Sequence, residues 1–145
     1  MIAAALREVL VGIAAVTDLV GSGEAARIRF DRFVESDTTP QILIEVDDAQ
    51  RENDLSGRGG LVVAECTVTC RANSRTAADA LWEAVRSGGT DPASGLAGYH
   101  GTVTAGTVDC VVDDVQTADV PKQLGSDDAW FDAVATVTVI LNEVR

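Results

Sequence analysis

The sequence predicts an α+β fold: a single antiparallel (mixed) β-sheet with two helices packed on one face, in the order α-β-β-β-α-β-β, forming one domain over residues 1–145. Three observations predict it. Apolar residues recur at helical spacing near the N-terminus and again after Asn73. An alternating pattern runs from Leu61 to Arg71, as in a half-buried antiparallel strand. The chain is 46% hydrophobic, mainly Val, Ala, Leu and Ile, enough to bury a core, whereas only 4% is aromatic, so that core is built from small and branched aliphatics.

Each element follows in turn. Ile2, Leu6, Val9, Leu10, Ile13, Val16 and Val20 form one stripe and predict a single helix over Ile2–Val20, stopped by Gly21 and Gly23. Arg27–Glu35 alternates and predicts a strand; Ser36–Thr39 with Pro40 is a turn. Gln41–Asp47 predicts a second strand, with Ile42, Ile44 and Val46 on one face. Asp48–Gly60 is polar and glycine-rich and reads as a long hairpin loop, of a length that is often functional.

The third strand, Leu61–Arg71, places Val62, Ala64, Cys66, Val68 and Cys70 on one face. Thr76 with Asp79 resembles a capping box for a helix ending near Ser87. Thr90–Gly101 is loop, and Thr102–Thr117 predicts one strand, bulged or broken near Gly106. Ala118–Asp127 is loop, and Trp130–Glu143 carries the strongest strand pattern of the chain.

The composition excludes some functions. A formal net charge of −12 disfavours nucleic-acid reading and docking on anionic membrane. The N-terminal apolar run is interrupted early by Arg7 and Glu8 and lacks the basic start of a signal peptide, and no stretch is long enough to span a bilayer. Cys66, Cys70 and Cys110 match no zinc or redox spacing and read as small core residues. His100, the one histidine, reads as a loop residue; a small enzyme using His100 with nearby carboxylates is the weaker alternative. The Asp and Glu clusters read as a solvated acidic face, without a calcium-hand pattern, and no lysine follows Gly21 and Gly23 as a phosphate loop requires. No catalytic, cofactor-binding or metal-binding residues are expected. Core packing is the ordinary reading for both tryptophans, Trp82 and Trp130; Trp82 also sits off the apolar stripe of its helix, which opens a role at a subunit contact.

The helix ending in TDLVGSG, the strand PQILIEV, the run CTVTCRANSRTAADALWEAVRSG, the loop GLAGYHG and the final GSDDAWFDAVATVTVIL together resemble the tail terminator, or tail-completion, proteins of long-tailed bacteriophages. The resemblance covers nearly the whole chain. It implies a structural protein of the virion, made in the host bacterial cytoplasm, that forms a homo-oligomeric ring, usually a hexamer, at the head-proximal end of the tail tube. Its partners would be further copies of itself, the tail tube protein and the head-completion or connector proteins, with DNA passing through the lumen without specific binding. Contacts to neighbouring subunits or to the tube are expected at Arg51, Glu52, Asn53, Asp54, Leu55 and Arg58 in the long loop, at Glu65, Thr67 and Thr69 on the outer strand face, and at Trp82. A head-completion or stopper ring and a non-viral acidic α+β binding module are the alternatives.

Overall fold

The structure is a computed structural model that describes residues 2–34, 38–54, 57–88, 95–118, 120–125 and 130–144; the side chains of 51–60 and of 143–144 lie outside the description. Its architecture is the predicted α+β class, one mixed sheet with helices, but with more elements than the sequence suggests.

The N-terminal stripe is carried by two helices, α1 (Ile2–Val11) and α2 (Ala14–Val20), not one. Gly12 and Ile13 donate to Val9 and Leu10 carbonyls three residues back, and Ile13 is extended. Glycine in a helix interior is unfavourable, so the break falls there. The periodicity survives it because Leu6, Leu10, Val16 and Val20 all remain buried in the same core. A short 3-10 turn, Gly23–Ala25, follows.

Strand β1 is only Ile28–Phe30 and pairs parallel to β2 (Gln41–Asp54). The expected strand to Glu35 ends early because Asp31 takes a left-handed conformation (φ 66°), which aspartate tolerates better than most residues. Strand β2 pairs antiparallel with β3 (Gly57–Ala72), from Gln41↔Arg71 out to Asp54↔Gly57. Asp48–Gly60 is therefore not a long loop; among the described residues it is the outer half of a two-stranded arm. Register shifts at Val46/Asp48 and Arg51/Asn53 bulge it, and bulges increase local twist.

Helix α3 (Arg75–Ser87) is capped by Ser74, whose Oγ accepts from the Ala77 N–H at 3.1 Å, two residues before the expected Thr76 cap. The region Thr102–Thr117 is a hairpin of β4 (Gly101–Ala105) and β5 (Val108–Thr117), turning at Gly106 (φ 68°). Strand β6 (Lys122–Gly125) emerges from the expected loop Ala118–Asp127, and β7 (Phe131–Val144) closes the set.

The sheet order is β1-β2-β3-β7-β5-β4, and β6 pairs with β7 beyond the end of β5. All neighbours except β1/β2 are antiparallel. Three strands separate β2 from β4, yet α1 touches both, so the sheet curls around it; α3 lies on β3 and β7 and touches α2.

The core sits on this inner face. Val62, Ala64, Cys66, Val68 and Cys70 pair in register with Leu141, Val139, Val137, Ala135 and Ala133, and all ten are buried. The facing residues are small because Leu81, Trp82 and Val85 of α3 fill the space above them. Leu96 extends the core from beyond α3: its N–H donates to the Val85 carbonyl at 2.8 Å, and Ala97 donates to Arg86 at 3.0 Å, closing the C-terminal end of the helix.

Candidate interaction surfaces

Three surfaces carry polar or aromatic groups that the core does not absorb. The first is the arm. Arg51, Glu52, Asn53 and Asp54 lie in β2 and Arg58 in β3, with Arg51↔Val62 and Asn53↔Arg58 as register partners; their side chains, and Leu55 altogether, lie outside the described residues. The pairing of β3 with β7 begins at Leu61↔Asn142, so Gly57–Gly60 and their β2 partners extend past β7. Strand β1 covers only Ile42–Ile44 of β2, and among the described residues nothing pairs with the outer edge of β2 beyond them. That edge shows exposed Val46, Asp47, Asp48, Ala49 and Gln50. Charges and bulges on an open edge discourage indiscriminate strand pairing.

The second is the outer face of the sheet. Glu65 is exposed there, and Thr67 is half-buried and donates through Oγ1 to the Asp47 carboxylate. Thr69 is buried opposite Leu43. Beyond it stands a cluster that the sequence reading missed. Arg71 Nε and Nη2 donate to the two Asp132 oxygens at 2.8 and 3.0 Å. The same guanidinium carbon lies 4.0 Å from the Phe33 ring centroid and 4.6 Å from that of Trp130. The left-handed turn at Asp31 brings Phe33 over the sheet, and the register pair Arg71↔Asp132 sets the carboxylate opposite the cation. Arginine suits this place because its planar group can form a fork with a carboxylate while stacking on rings. Cross-strand parity of Arg71 and Asp132 was the available signal, but register cannot be read before pairing is known.

Of the two tryptophans, one is in the core and one is not. Trp82 is 2% exposed and belongs to the core on the inner face, on the other side of the sheet from Glu65 and Thr67; it does not join them in one surface. Trp130, read as core, is 38% exposed and held by Arg71. Trp82 sits off the stripe because α3 is covered on a second side by β6 and the segment before it.

That covering makes the third surface, a cleft of about 270 Å³ between α3 and the β5–β6 connection, lined by Asp79, Trp82, Glu83, Val120, Pro121 and Gln123. Gln123 Nε2 donates to the Asp79 carboxylate. This fixes the amide orientation, since a carboxylate only accepts. Trp82 Nε1 and Gln123 Oε1 are buried with no hydrogen-bond partner. Glu83 bonds Arg86 at 2.6 Å and Ser87 Oγ at 2.9 Å; these hydrogen bonds, Arg86 first, hold its carboxyl below the usual range.

The remaining reactive residue types have structural places. Cys66, Cys70 and Cys110 are buried free thiols. Burial, and secondly the Asp47 charge, pushes the Cys66 thiol up to about 11; burial, and secondly Asp132, raises Cys70 further. A thiol kept protonated is a poor nucleophile and metal ligand. His100 stands in an exposed loop with Nδ1 3.4 Å from the Gly98 carbonyl. Among the described residues no group of three or more His, Cys, Asp or Glu is arranged to hold a metal, and no helix is long and apolar enough to cross a membrane.

An α+β domain with a helix-covered sheet and a projecting β-hairpin is thus what fold and surfaces define. No protein-family model and no curated protein matches the chain. Among solved structures, a chain of the virion of a native gene transfer agent (GTA) particle is similar to it, with a TM-score of 0.62 and 14% identity over 97% of this chain and 93% of that one. At that identity the likeness is one of fold, and it runs almost from end to end.

Proposed function

We propose that this chain is a structural protein of a virion and, within it, a tail terminator: a ring at the head-proximal end of a tail tube that stops tube polymerisation and joins the tail to head-completion proteins. The observation that carries the reading is the end-to-end likeness of fold to a chain of the gene transfer agent virion. The sequence resemblance to tail terminators adds the finer part. The sheet supports it physically. A ring needs a heterologous interface, one surface of a protomer against a different surface of the next, closed by rotation. The arm at one side of the sheet and the outer face beyond Thr69 are two such unlike surfaces, and Arg51–Arg58 and Glu65 are the residues assigned to them.

The net charge of −12 fits a lumen that repels passing DNA. A lumen lined mainly by Arg27, Arg29, Arg51 or Arg58 would contradict this. Arg27 is already engaged, donating to the Leu19 and Pro40 carbonyls at 2.9 and 3.0 Å.

Negative-stain imaging of the purified protein, alone and with tail tubes, tests the ring; its absence under both conditions removes the reading. Deleting the gene tests the place of the ring. Overlong tubes identify a terminator, whereas normal tails with leaking heads identify a stopper. Deletion of Arg51 to Arg58 should abolish normal termination and head joining; if both persist, the arm is only a spacer.

A further inference from the structure

The geometry points to the cleft between α3 and β6 as a docking site for an extended, basic segment of a different protein, added as a strand along the outer edge of β6. Four observations converge there. Among the described residues no strand pairs with that edge: β6 bonds β7 on one side, and the β4–β5 hairpin covers only Val108–Val112 of β5. The edge is flanked by exposed apolar side chains, Val120 at 82% exposure and Leu124 at 46%. The cleft beside it holds a buried donor, Trp82 Nε1, and a buried acceptor, Gln123 Oε1, neither paired among the described residues. Its α3 wall carries two carboxylates: Asp79, bonded to the neutral Gln123 amide, and Glu83, already paired with Arg86, so Asp79 is the one open to a cation.

A peptide unit supplies what the two orphan atoms lack, a carbonyl for the indole N–H and an N–H for the amide oxygen. Leaving such groups unmet is costly, which favours an occupant that satisfies both. Both atoms are covered in the free chain, so seating requires the Gln123 amide to turn from Asp79. A lysine or arginine of the incoming segment then takes that carboxylate, a stronger charge-assisted bond than the one it replaces. Strand addition to an open edge provides the main-chain bonds, and the cleft provides the side-chain selection. Charge chooses between occupants. A second copy of this chain also carries −12, whereas a basic segment is drawn to the carboxylates. The site is on the opposite side of the sheet from Glu65 and separate from the arm, so it stands or falls independently of the ring contacts.

The test is a titration of the ¹⁵N-labelled full chain with the capped peptide Thr-Val-Lys-Val-Thr, and with its counterpart bearing Glu in place of Lys. The Trp82 indole signal is assigned by the loss of the other indole in Trp130→Phe. The lysine peptide should shift the Trp82 indole and the Gln123 and Leu124 amides in a saturable way at millimolar concentration, with the glutamate peptide about tenfold weaker. Val120→Lys, a change at a side chain that holds nothing in place, should weaken the lysine peptide by about tenfold while leaving the rest of the spectrum unchanged. Equal shifts from both peptides, shifts confined to other surfaces, or no shift would overturn the proposal. So would the same signals moving on dilution without peptide, since the occupant would then be a second copy.

Discussion

Strands β2 and β3 each run through two regions that behave oppositely. From Gln41 to Ile44, and from Leu61 to Ala72, they are paired and send every second side chain into the core beneath the helices; Gln41, Leu43 and Thr69 on the other face are buried as well. Beyond Ile44 the described side chains of β2 are exposed from Val46 to Gln50, although their β3 partners Ala64 and Cys66 stay in the core, and past Leu61 the two strands continue as an arm without β7 beside it. The ladder is continuous; the core is not. Among the described residues, what holds the arm is its backbone ladder, whereas the sheet is held by packing as well. A region of the first kind adds little to global stability and is free to present contacts, and a region of the second kind does the reverse.

The largest effect should come where the packed region has no room. A Cβ at Gly95 would lie 2.3 Å from the Arg86 carbonyl oxygen and 2.4 Å from the Ser87 carbonyl carbon, both backbone atoms that cannot step aside. Gly95→Ala must push the Leu96 segment off the end of α3, breaking the bonds to Val85 and Arg86 and withdrawing a buried leucine. We expect a loss of more than about 3 kcal/mol in urea unfolding; a loss below about 1 kcal/mol would show that the segment swings away freely. Next comes Ile44→Ala. Ile44 is fully buried at the paired end of β2, and the change should cost about 2–5 kcal/mol, read as a lower denaturant midpoint at constant slope.

The two regions were also unequally legible in the sequence. Alternation from Leu61 to Arg71 identified the inner face correctly, because burial on one side imposes period two. Asp48, Ala49 and Gln50 are all exposed, so no buried side imposed a period there and Asp48–Gly60 looked like a loop; its pairing shows only once β3 is in place. Gly12 interrupts the first helix without interrupting its stripe, and Lys122–Gly125 is too short to show any pattern. Trp82 is in the core, the more ordinary of its two expected places; its position off the stripe suggested a contact only because stripe position on α3 takes no account of the cleft side toward β6. Trp130 was misplaced as core because it precedes a strand whose register partners were unknown. The three cysteines were read correctly as core, because their parity on β3 and β5 matches that of their buried neighbours.

The outer-face cluster is intermediate. Arg71 and Asp132 retain 20% and 14% side-chain exposure, so their pairing is partly screened. Arg71→Ala removes the stack with Phe33 and Trp130 as well as the ion pair and should cost about 1–2 kcal/mol, with Arg71→Lys recovering only part. Equal stability of the Lys variant would show that the fork and stack are dispensable. The thiols give a smaller, pH-dependent effect. The folded-state value of Cys66 is raised from 9.0 to about 11, so the unfolded chain loses its proton first. Stability should be fully present below pH 9 and fall as pH rises toward 11, and Cys66→Ala should flatten that fall. An unchanged slope in the variant would assign the fall to other groups.

The smallest expected effect tests the comparison most directly. Val46 lies on the same strand and face as Ile44, two residues further out, and is 39% exposed. It pairs with Cys66 as Ile44 pairs with Val68; Ile44 differs in the packing above it and also in its second edge, where Phe30 of β1 is its register partner and the Asp31 N–H donates to its carbonyl at 3.2 Å. If packing and not the ladder separates the two regions, Val46→Ala should change stability by less than about 1 kcal/mol, at least severalfold less than Ile44→Ala. Amide exchange should follow the same boundary, with β2 protected from Ile42 to Ile44 and opening by local fluctuation beyond Asp48. A loss at Val46 equal to that at Ile44 would mean that the arm is part of the cooperative unit. Its pairing would then be held by more than its own ladder, and a role as an independently deployed contact would lose its physical basis.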